Sequence, residues 1–307
     1  MKKNILMVML LLTAAFGHAQ EYVFKVLANK GANEVKTADA WVPIKTGASL
    51  NSSDELKIAD NAYLGLVHKS GRPMEVKQAG SYKIADLAAK LGSGNSVVNK
   101  YTDFILSSNS EEGKKNRMAA TGSVTRGLSS IKVNMPAAQY SGIYNDKMVI
   151  NWEPAKNEEG LIREGLTYVT TIMDMEDNVL LTTETTDTQV TVNLGDGKFK
   201  NQTAVLVEVQ AKGDSKSVSE RHVIKRLNTA NREKIKNALA TDLGINPESE
   251  SAMDKMVLAL FYEQNGLILD AITAYQDAIK TAPDVQDYKT AYQEFLLIKG
   301  IKKEEKK

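Results

Sequence analysis

The chain contains no cysteine, which removes disulfides, thiolate zinc sites, iron–sulfur clusters and cysteine nucleophiles together. Its folds must rest on hydrophobic cores. Histidine is nearly as scarce. Of the three, His18 sits near the N-terminus, leaving His68 and His222 in separate strand-like regions. A Ser-His-Asp arrangement needs one of them beside a nucleophile and a carboxylate, and there is neither a G-x-S-x-G elbow nor an HExxH helix. Both therefore read as ordinary strand residues, and the sequence predicts no catalytic residue, no cofactor and no metal site. An excess of one charge is missing too: 39 basic residues face 38 acidic ones, for a net charge of +1. That balance argues against nucleic acid or an anionic membrane as the main partner. With six Phe and two Trp, the chain is also poorly supplied for a sugar-stacking platform.

Long apolar runs are absent as well, apart from one at the start. In MKKNILMVMLLLTAAFGHAQ, Lys2 and Lys3 precede an apolar stretch from Ile5 to Phe16, and small Gly17 and Ala19 follow. The pattern is that of a secretory signal peptide over residues 1–19, cleaved before Gln20. A membrane-spanning helix needs about 20 apolar residues, and this stretch is shorter. No lipobox cysteine follows it, so the expected location is periplasmic or secreted, with no transmembrane segment after cleavage. About 290 residues remain, enough for two or three domains.

Residues 20–85 read as short strands (YVFKVLA, WVPI, LKIA, YLGLVH, MEVK, SYKI) separated by turn residues at Asn29 to Gly31, Thr46-Gly47, Asp60-Asn61 and Ser70-Gly71. Alternation at Leu56/Ile58, Leu64/Leu66 and Met74/Val76 gives each strand one buried face. This order of features resembles the FecR-like domain of bacterial envelope proteins. The matching residues are Trp41-Val42-Pro43-Ile44, Gly47 with Leu50, Asp54-Glu55-Leu56, Asn61-Ala62-Tyr63-Leu64 and Lys69-Ser70-Gly71. The resemblance implies a small β-sandwich. The sigma-factor-binding segment and membrane helix of the signalling members are missing, which leaves the β module alone.

Residues 86–135 read as a helix over Ser96–Leu106 and then a polar linker, in which Lys114, Lys115, Arg117 and Arg126 are solvated beside Glu111 and Glu112. A second β region spans 136–228. Its alternating Met148, Ile150 and Trp152, and later Val205, Val207 and Val209, each define one inward face. With Trp152-Glu153-Pro154 early and an inward Tyr168 later, it resembles a fibronectin type III or immunoglobulin-like sandwich. Such modules act as spacers or binding platforms.

Residues 229–307 turn helical, with helices expected at 229–242, 250–265, 268–281 and 285–299 and breaks at Gly244, Pro247, Gly266, Pro283 and Gly300. The series Leu258-Ala259, Tyr262, Gly266, Ala271, Tyr275, Ala278 and Pro283 resembles one tetratricopeptide repeat, and its neighbours must then serve as caps. KGIKKEEKK closes the chain as a solvated tail. In that repeat family the first helix of a pair lines the groove, which implies Met253, Met256, Leu260, Glu263 and Gln264 as partner-binding candidates. Their apolar character suits an amphipathic helix or strand as guest. The other reading is that Met256 and Leu260 pack against the helix at 229–242.

Two further clusters have simple readings. Gly195-Asp196-Gly197-Lys198 lacks the spacing of a phosphate loop and reads as a turn. Asp174, Glu176 and Asp177 lack EF-hand spacing, and Asp177-Asn178 is a good turn pair. The fold class is thus multidomain β plus α, two small β-sandwiches followed by a tetratricopeptide-type helical hairpin array. The expected function is a non-enzymatic, exported cell-envelope adaptor that binds an envelope protein through its C-terminal helices, or possesses a glycan-binding face. The alternatives are an envelope glycan or peptide hydrolase, or a soluble FecR-type sensory subunit. The leader sequence makes a direct prediction: N-terminal sequencing of the exported protein should begin at or near Gln20, and an intact Met1 on that material refutes it.

Overall fold

The computed structural model describes residues 22–37, 40–91, 131–136, 141–157, 159–243, 245 and 248–302. The expected signal peptide, the helix expected over Ser96–Leu106, the basic linker residues and most of the charged tail lie outside the described residues. β-sheets fill the N-terminal two thirds and helices the C-terminal third.

The first β unit contains β1 (Phe24–Lys30), β2 (Glu34–Thr37), β3 (Ala40–Pro43), β4 (Ser49–Leu50), β5 (Glu55–Ile58), β6 (Tyr63–His68), β7 (Pro73–Val76) and β8 (Gly80–Lys83), and ends in the short helix α1 (Ile84–Lys90). These strands form two four-stranded sheets, ordered β4-β1-β6-β7 and β3-β2-β5-β8. Between them lies a core of Phe24, Val26, Leu56, Ile58, Leu64 and Leu66, among others. Asn61, at φ 55°, makes the turn into β6, a conformation that asparagine tolerates better than most residues.

One face per strand is too little for β1 and β6. Leu64 and Leu66 enter the inter-sheet core, while Tyr63 and Val67 of the same strand enter a second core on the opposite side. Val26 and Leu27 divide in the same way. The apolar runs VFKVLA and YLGLVH are therefore those of strands covered on both faces. The second cover is helical.

The second β unit contains β9 (Ser141–Ile143), β10 (Lys147–Asn151), β11 (Tyr168–Met173), β12 (Val179–Thr185), β13 (Gln189–Asn193), β14 (Ala204–Ala211) and β15 (His222–Arg226). Five strands run in the order β12-β11-β14-β15-β9, with β15 and β9 parallel, and β10 pairs with β13 separately. Along β14 buried and half-buried residues alternate without exception, with Val205, Val207, Val209 and Ala211 facing inward. Trp152 and Tyr168 are both buried and meet edge to face at 5.4 Å, and the Tyr168 hydroxyl accepts the Ala155 N–H at 3.0 Å. Ile131, Val133 and Met135, at the end of the stretch read as linker, belong to this core, and Val133 bridges to Trp152.

The helices are α2 (Thr229–Ala238), which runs into a π-helical turn (Leu239–Leu243), α3 (Ala252–Gln264), α4 (Ile268–Thr281) and α5 (Gln286–Ile298). Asn228 and Ser251 cap α2 and α3 by accepting the N–H groups of Asn231 and Asp254. Gly266, at φ 71°, ends α3 with the paired bonds Leu267 N–H to Tyr262 O and Gly266 N–H to Glu263 O. Gly300 ends α5 in the same way, so the expected glycine stops are Schellman caps. The helices share one continuous core with the second β unit and with Leu27, Ala28, Tyr63 and Val67 of the first.

Thr170 on β11 offers a test of that core. It is 1% exposed, and its hydroxyl has no hydrogen-bond partner. A buried hydroxyl left unpaired costs about 1–3 kcal/mol, and replacement by an apolar group of the same shape removes the cost. Thr170→Val should raise the denaturant midpoint without changing the m-value. A lowered midpoint means that the hydroxyl is paired after all.

Candidate functional site

The residues expected to line a groove on α3 are where the three parts of the chain meet. Met253, Met256, Leu260 and Glu263 are at most 3% exposed, and Gln264 is half-buried. The principal neighbours of α3 are α4 and strand β7. The groove expected there is not exposed in the folded chain: β6 and β7 lie against Met253, and Tyr275 of α4 and Lys299 lie against Glu263. The contact is close. A Cβ added to Gly65 on β6 would lie 2.8 Å from the Met253 sulfur, so any larger residue there would force the methionine side chain to shift.

Polar groups pin this seam at defined points. On the first β unit, Tyr63 donates to Glu75 at 2.7 Å, and the Tyr63 and Tyr288 hydroxyls are 2.6 Å apart. A carboxylate only accepts, so Tyr63 gives its proton to Glu75 and Tyr288 donates to Tyr63. Glu75 also accepts the Met253 N–H at 2.9 Å and pairs with Lys77. Burial alone would raise the Glu75 carboxyl, but hydrogen bonds from Lys77, Tyr63 and Met253 hold it below the ordinary carboxylate range. Burial, followed by the neighbouring Tyr288 and Glu75, pushes the Tyr63 phenol far above its usual value, so it stays a donor. At the start of α5, Asp287 accepts from the Asn29 N–H at 2.7 Å and the Thr46 hydroxyl at 3.0 Å.

The second β unit is held by α4 and α5. Fully buried Asp270 accepts the N–H groups of Tyr144 at 2.9 Å and Asn145 at 2.8 Å, one on each carboxylate oxygen. Thr273, one turn on, accepts the Val149 N–H at 3.0 Å. Tyr292 meets the Asn151 side chain, which donates to its hydroxyl at 3.0 Å. At the rim Lys147 pairs with Asp277 at 2.6 Å. The bonds from Tyr144, Asn145 and Val149 satisfy backbone donors in the β9–β10 turn and along β10.

Beside this contact opens a cleft of about 800 Å³. Asp270, Thr273 and Tyr262 line it together with Lys255, Glu250 and Lys280. Its charged lining is Asp146, Glu248, Glu250, Asp270 and Asp277 with Lys147, Lys255 and Lys280, of which Lys147 pairs with Asp277 and Lys255 bonds Thr281.

The remaining sequence candidates are accounted for locally. His68 bonds Ser70 at 2.8 Å and lies edge-on to Phe24, and burial with Lys69 and Arg72 lowers its pKa. Burial likewise lowers that of His222. Both are neutral near pH 7, and they lie in different β units. Asp174 spends its carboxylate on the N–H groups of Glu176 and Asn178 and on the Asn178 side chain, in the turn where Asp177 takes φ 65°. Gly195-Asp196 forms a turn into a 3₁₀ segment, Gly197–Phe199. Among the described residues no group of three or more His, Asp or Glu is placed to hold a metal, and no helix is long and apolar enough to cross a membrane.

What the sequence did not single out is the outer surface of the β units. Trp41 and Val42 on β3, Leu161 and Ile162 in a loop, and Met175 and Val179 around the β11–β12 turn are the exposed large apolar residues. The sheet edges also differ. β4 has two residues, β3 ends in Pro43, β7 meets α3, β8 runs into α1, and β9 meets α4. β12 has seven residues with neither Pro nor Lys, and its principal neighbours are β11 and, weakly, β13. A scan against protein-family models and a search of curated proteins find no match to this chain. Function must therefore be argued from the geometry.

The Asp270 anchor makes a pH prediction. Burial raises its carboxyl to about 6, although the Tyr144 and Asn145 N–H groups and Arg232 pull the other way. Because the folded value lies above the unfolded one, the folded state holds the extra proton. This contribution to stability is complete below about pH 4 and is lost as pH rises through about 6. Asp270→Asn cannot titrate. The stability difference between wild type and variant, measured by denaturant unfolding, should shrink from pH 4 to pH 7. A difference that stays constant or grows with pH refutes the assignment.

Proposed function

We propose that this protein is a non-enzymatic, exported binding protein of the cell envelope, in which the helices clamp two β modules and the modules carry the binding surface. The observation that carries the reading is the burial of Met253, Met256, Leu260 and Glu263 inside the chain's own fold. Helices occupied internally do not need an outside guest, whereas among the described residues the exposed large apolar side chains lie on the β units. The leader-like N-terminus and absence of cysteine suit an exported protein that relies on its cores. In this reading the first β unit is a FecR-like sandwich, the second a fibronectin type III-like sandwich, and α3 with α4 a tetratricopeptide-type hairpin. The β sheets take the place of the neighbouring repeats. The adaptor role persists, but the partner is placed on the β modules rather than on the C-terminal helices.

Photo-crosslinking in cells tests it. A photoreactive residue at Val42, Ile162 or Val179 should yield discrete higher-mass adducts, and one at solvent-facing Lys289 on α5 should not. Adducts confined to the helical face would overturn the assignment to the β modules. Turnover of envelope glycan or peptide by the purified chain, without adducts, would favour the hydrolase instead.

A further inference from the structure

Strand β12 is the one long edge in the described structure with neither Pro, Lys nor a covering element, Glu184 being its single charge. Natural sheets blunt their edges with short strands, Pro, Lys or a covering element, because unpaired backbone N–H and C=O groups template another strand. The other outer strands of the larger sheets each use one of these, as set out above. β13 is open too, but it is shorter and pairs only with β10. β12 leaves its outer backbone to solvent over Val179–Thr185.

The side chains of β12 are arranged for a neighbour. Register with β11 sets Leu181 opposite Ile172, Thr183 opposite Thr170 and Thr185 opposite Tyr168. Those three partners are buried, so Leu181, Thr183 and Thr185 lie on the core face at its margin, where they are only half-buried. Thr182 and Glu184 point the other way and are exposed. An added strand would extend the core face over Leu181.

Charge selects the occupant. Asp174, Glu176 and Asp177 stand at one end of the strand, and Glu184 and Asp187 at the other. Lys212 pairs with Glu184 at 2.7 Å and Arg221 with Asp177 and Glu208, which leaves Asp174, Glu176 and Asp187 to carry the acidic character of the two ends. Asp174 remains ionised, since hydrogen bonds from Asn178 hold its carboxyl below the usual range. A second copy of this chain, paired in either direction, would bring acid against acid. A basic guest meets the opposite.

We infer that β12 accepts an extended, basic segment of a partner protein as an added strand, its lysines or arginines meeting the acidic ends and its backbone completing the open edge. This rests on the binding-protein reading above and names the chemistry of its partner. Main-chain bonds give such pairing its affinity and alternate side chains its selectivity.

The test uses the mature chain and three synthetic peptides of about nine residues, enough to span a strand. One alternates Lys and Val, the second replaces Lys by Glu, and the third is the basic peptide N-methylated at alternate residues. Hydrogen exchange read by NMR should show the basic peptide slowing the amides of Val179–Thr185 by about tenfold or more, an effect that salt weakens. The acidic and N-methylated peptides should not do so. Thr182→Lys, an exposed change that should leave the melting temperature as it is, should abolish the protection. Equal binding by the N-methylated peptide means charge without strand pairing and overturns the inference, as does protection elsewhere. Concentration-dependent dimers protected at β12 would make the occupant a second copy and overturn it too. If the in-cell adducts persist in the Thr182→Lys chain, the binding reading stands and β12 is not the site.

Discussion

Strand β6 has no solvent face, and much of the architecture follows from that. Its even-numbered leucines fill the space between the two sheets of the first unit, while Tyr63, Gly65 and Val67 turn toward the helices. A sheet buried on one side is a stable object in water. One apolar on both sides is not, until something covers it. The cover is α3 and α5, and because α4 and α5 also press on β10 and its neighbours, covering the first unit ties it to the second. The helices hold the two units through surfaces that neither unit can leave exposed at low cost.

Apolar burial alone leaves such a seam free to slide, since it is non-directional and scales with area. Direction comes from the buried polar groups. Asp270 reads two consecutive N–H groups, Tyr144 and Asn145, which fixes α4 to the β9–β10 turn to within a hydrogen bond. The Tyr288-Tyr63-Glu75 chain does the same for α5 against β6 and β7. Each net bond is worth only about 1 kcal/mol, but a misregistered seam would leave several buried donors and acceptors unpaired, at about 1–3 kcal/mol each. The penalty for the wrong arrangement therefore exceeds the gain from the right one, which is how polar groups specify a geometry that the apolar core merely favours.

Much of the coarse fold was legible in the sequence because it is local. Glycine stops at Gly266 and Gly300, the inward Trp152 and Tyr168, and the alternation along β14 depend on neighbours a few residues away. The candidate site was misread because its environment is not local. Met253, Met256 and Leu260 show an apolar helix face, and nothing in that spacing distinguishes a face that waits for a guest from one that meets strands some 180 residues earlier. One signal was available. YLGLVH and VFKVLA carry more apolar residues than a one-sided strand needs, and Gly65 sits in the middle of a strand, where a glycine marks close approach. Together they announce a cover over β6. Asp270 gave no signal, because a lone acid in a helix is normally solvated and only the tertiary contact buries it.

A pair of helices such as α3 and α4 raises a problem of its own. Helical hairpins stack into arrays because each buries its apolar faces on the next, and a single hairpin leaves both outer faces bare. Here α3 is buried on nearly every side: between Met253 and Glu263 all of Met256 through Tyr262 are inaccessible as well. The missing neighbours are the β sheet on one side and α4 with α5 on the other. A sheet makes a flatter and broader support than another hairpin; the β9–β10 turn supplies N–H groups for Asp270 of α4 to bridge, and Glu75 on β7 accepts the Met253 N–H at the start of α3. This exchange of one stacking partner for another is what frees the helices from needing repeats.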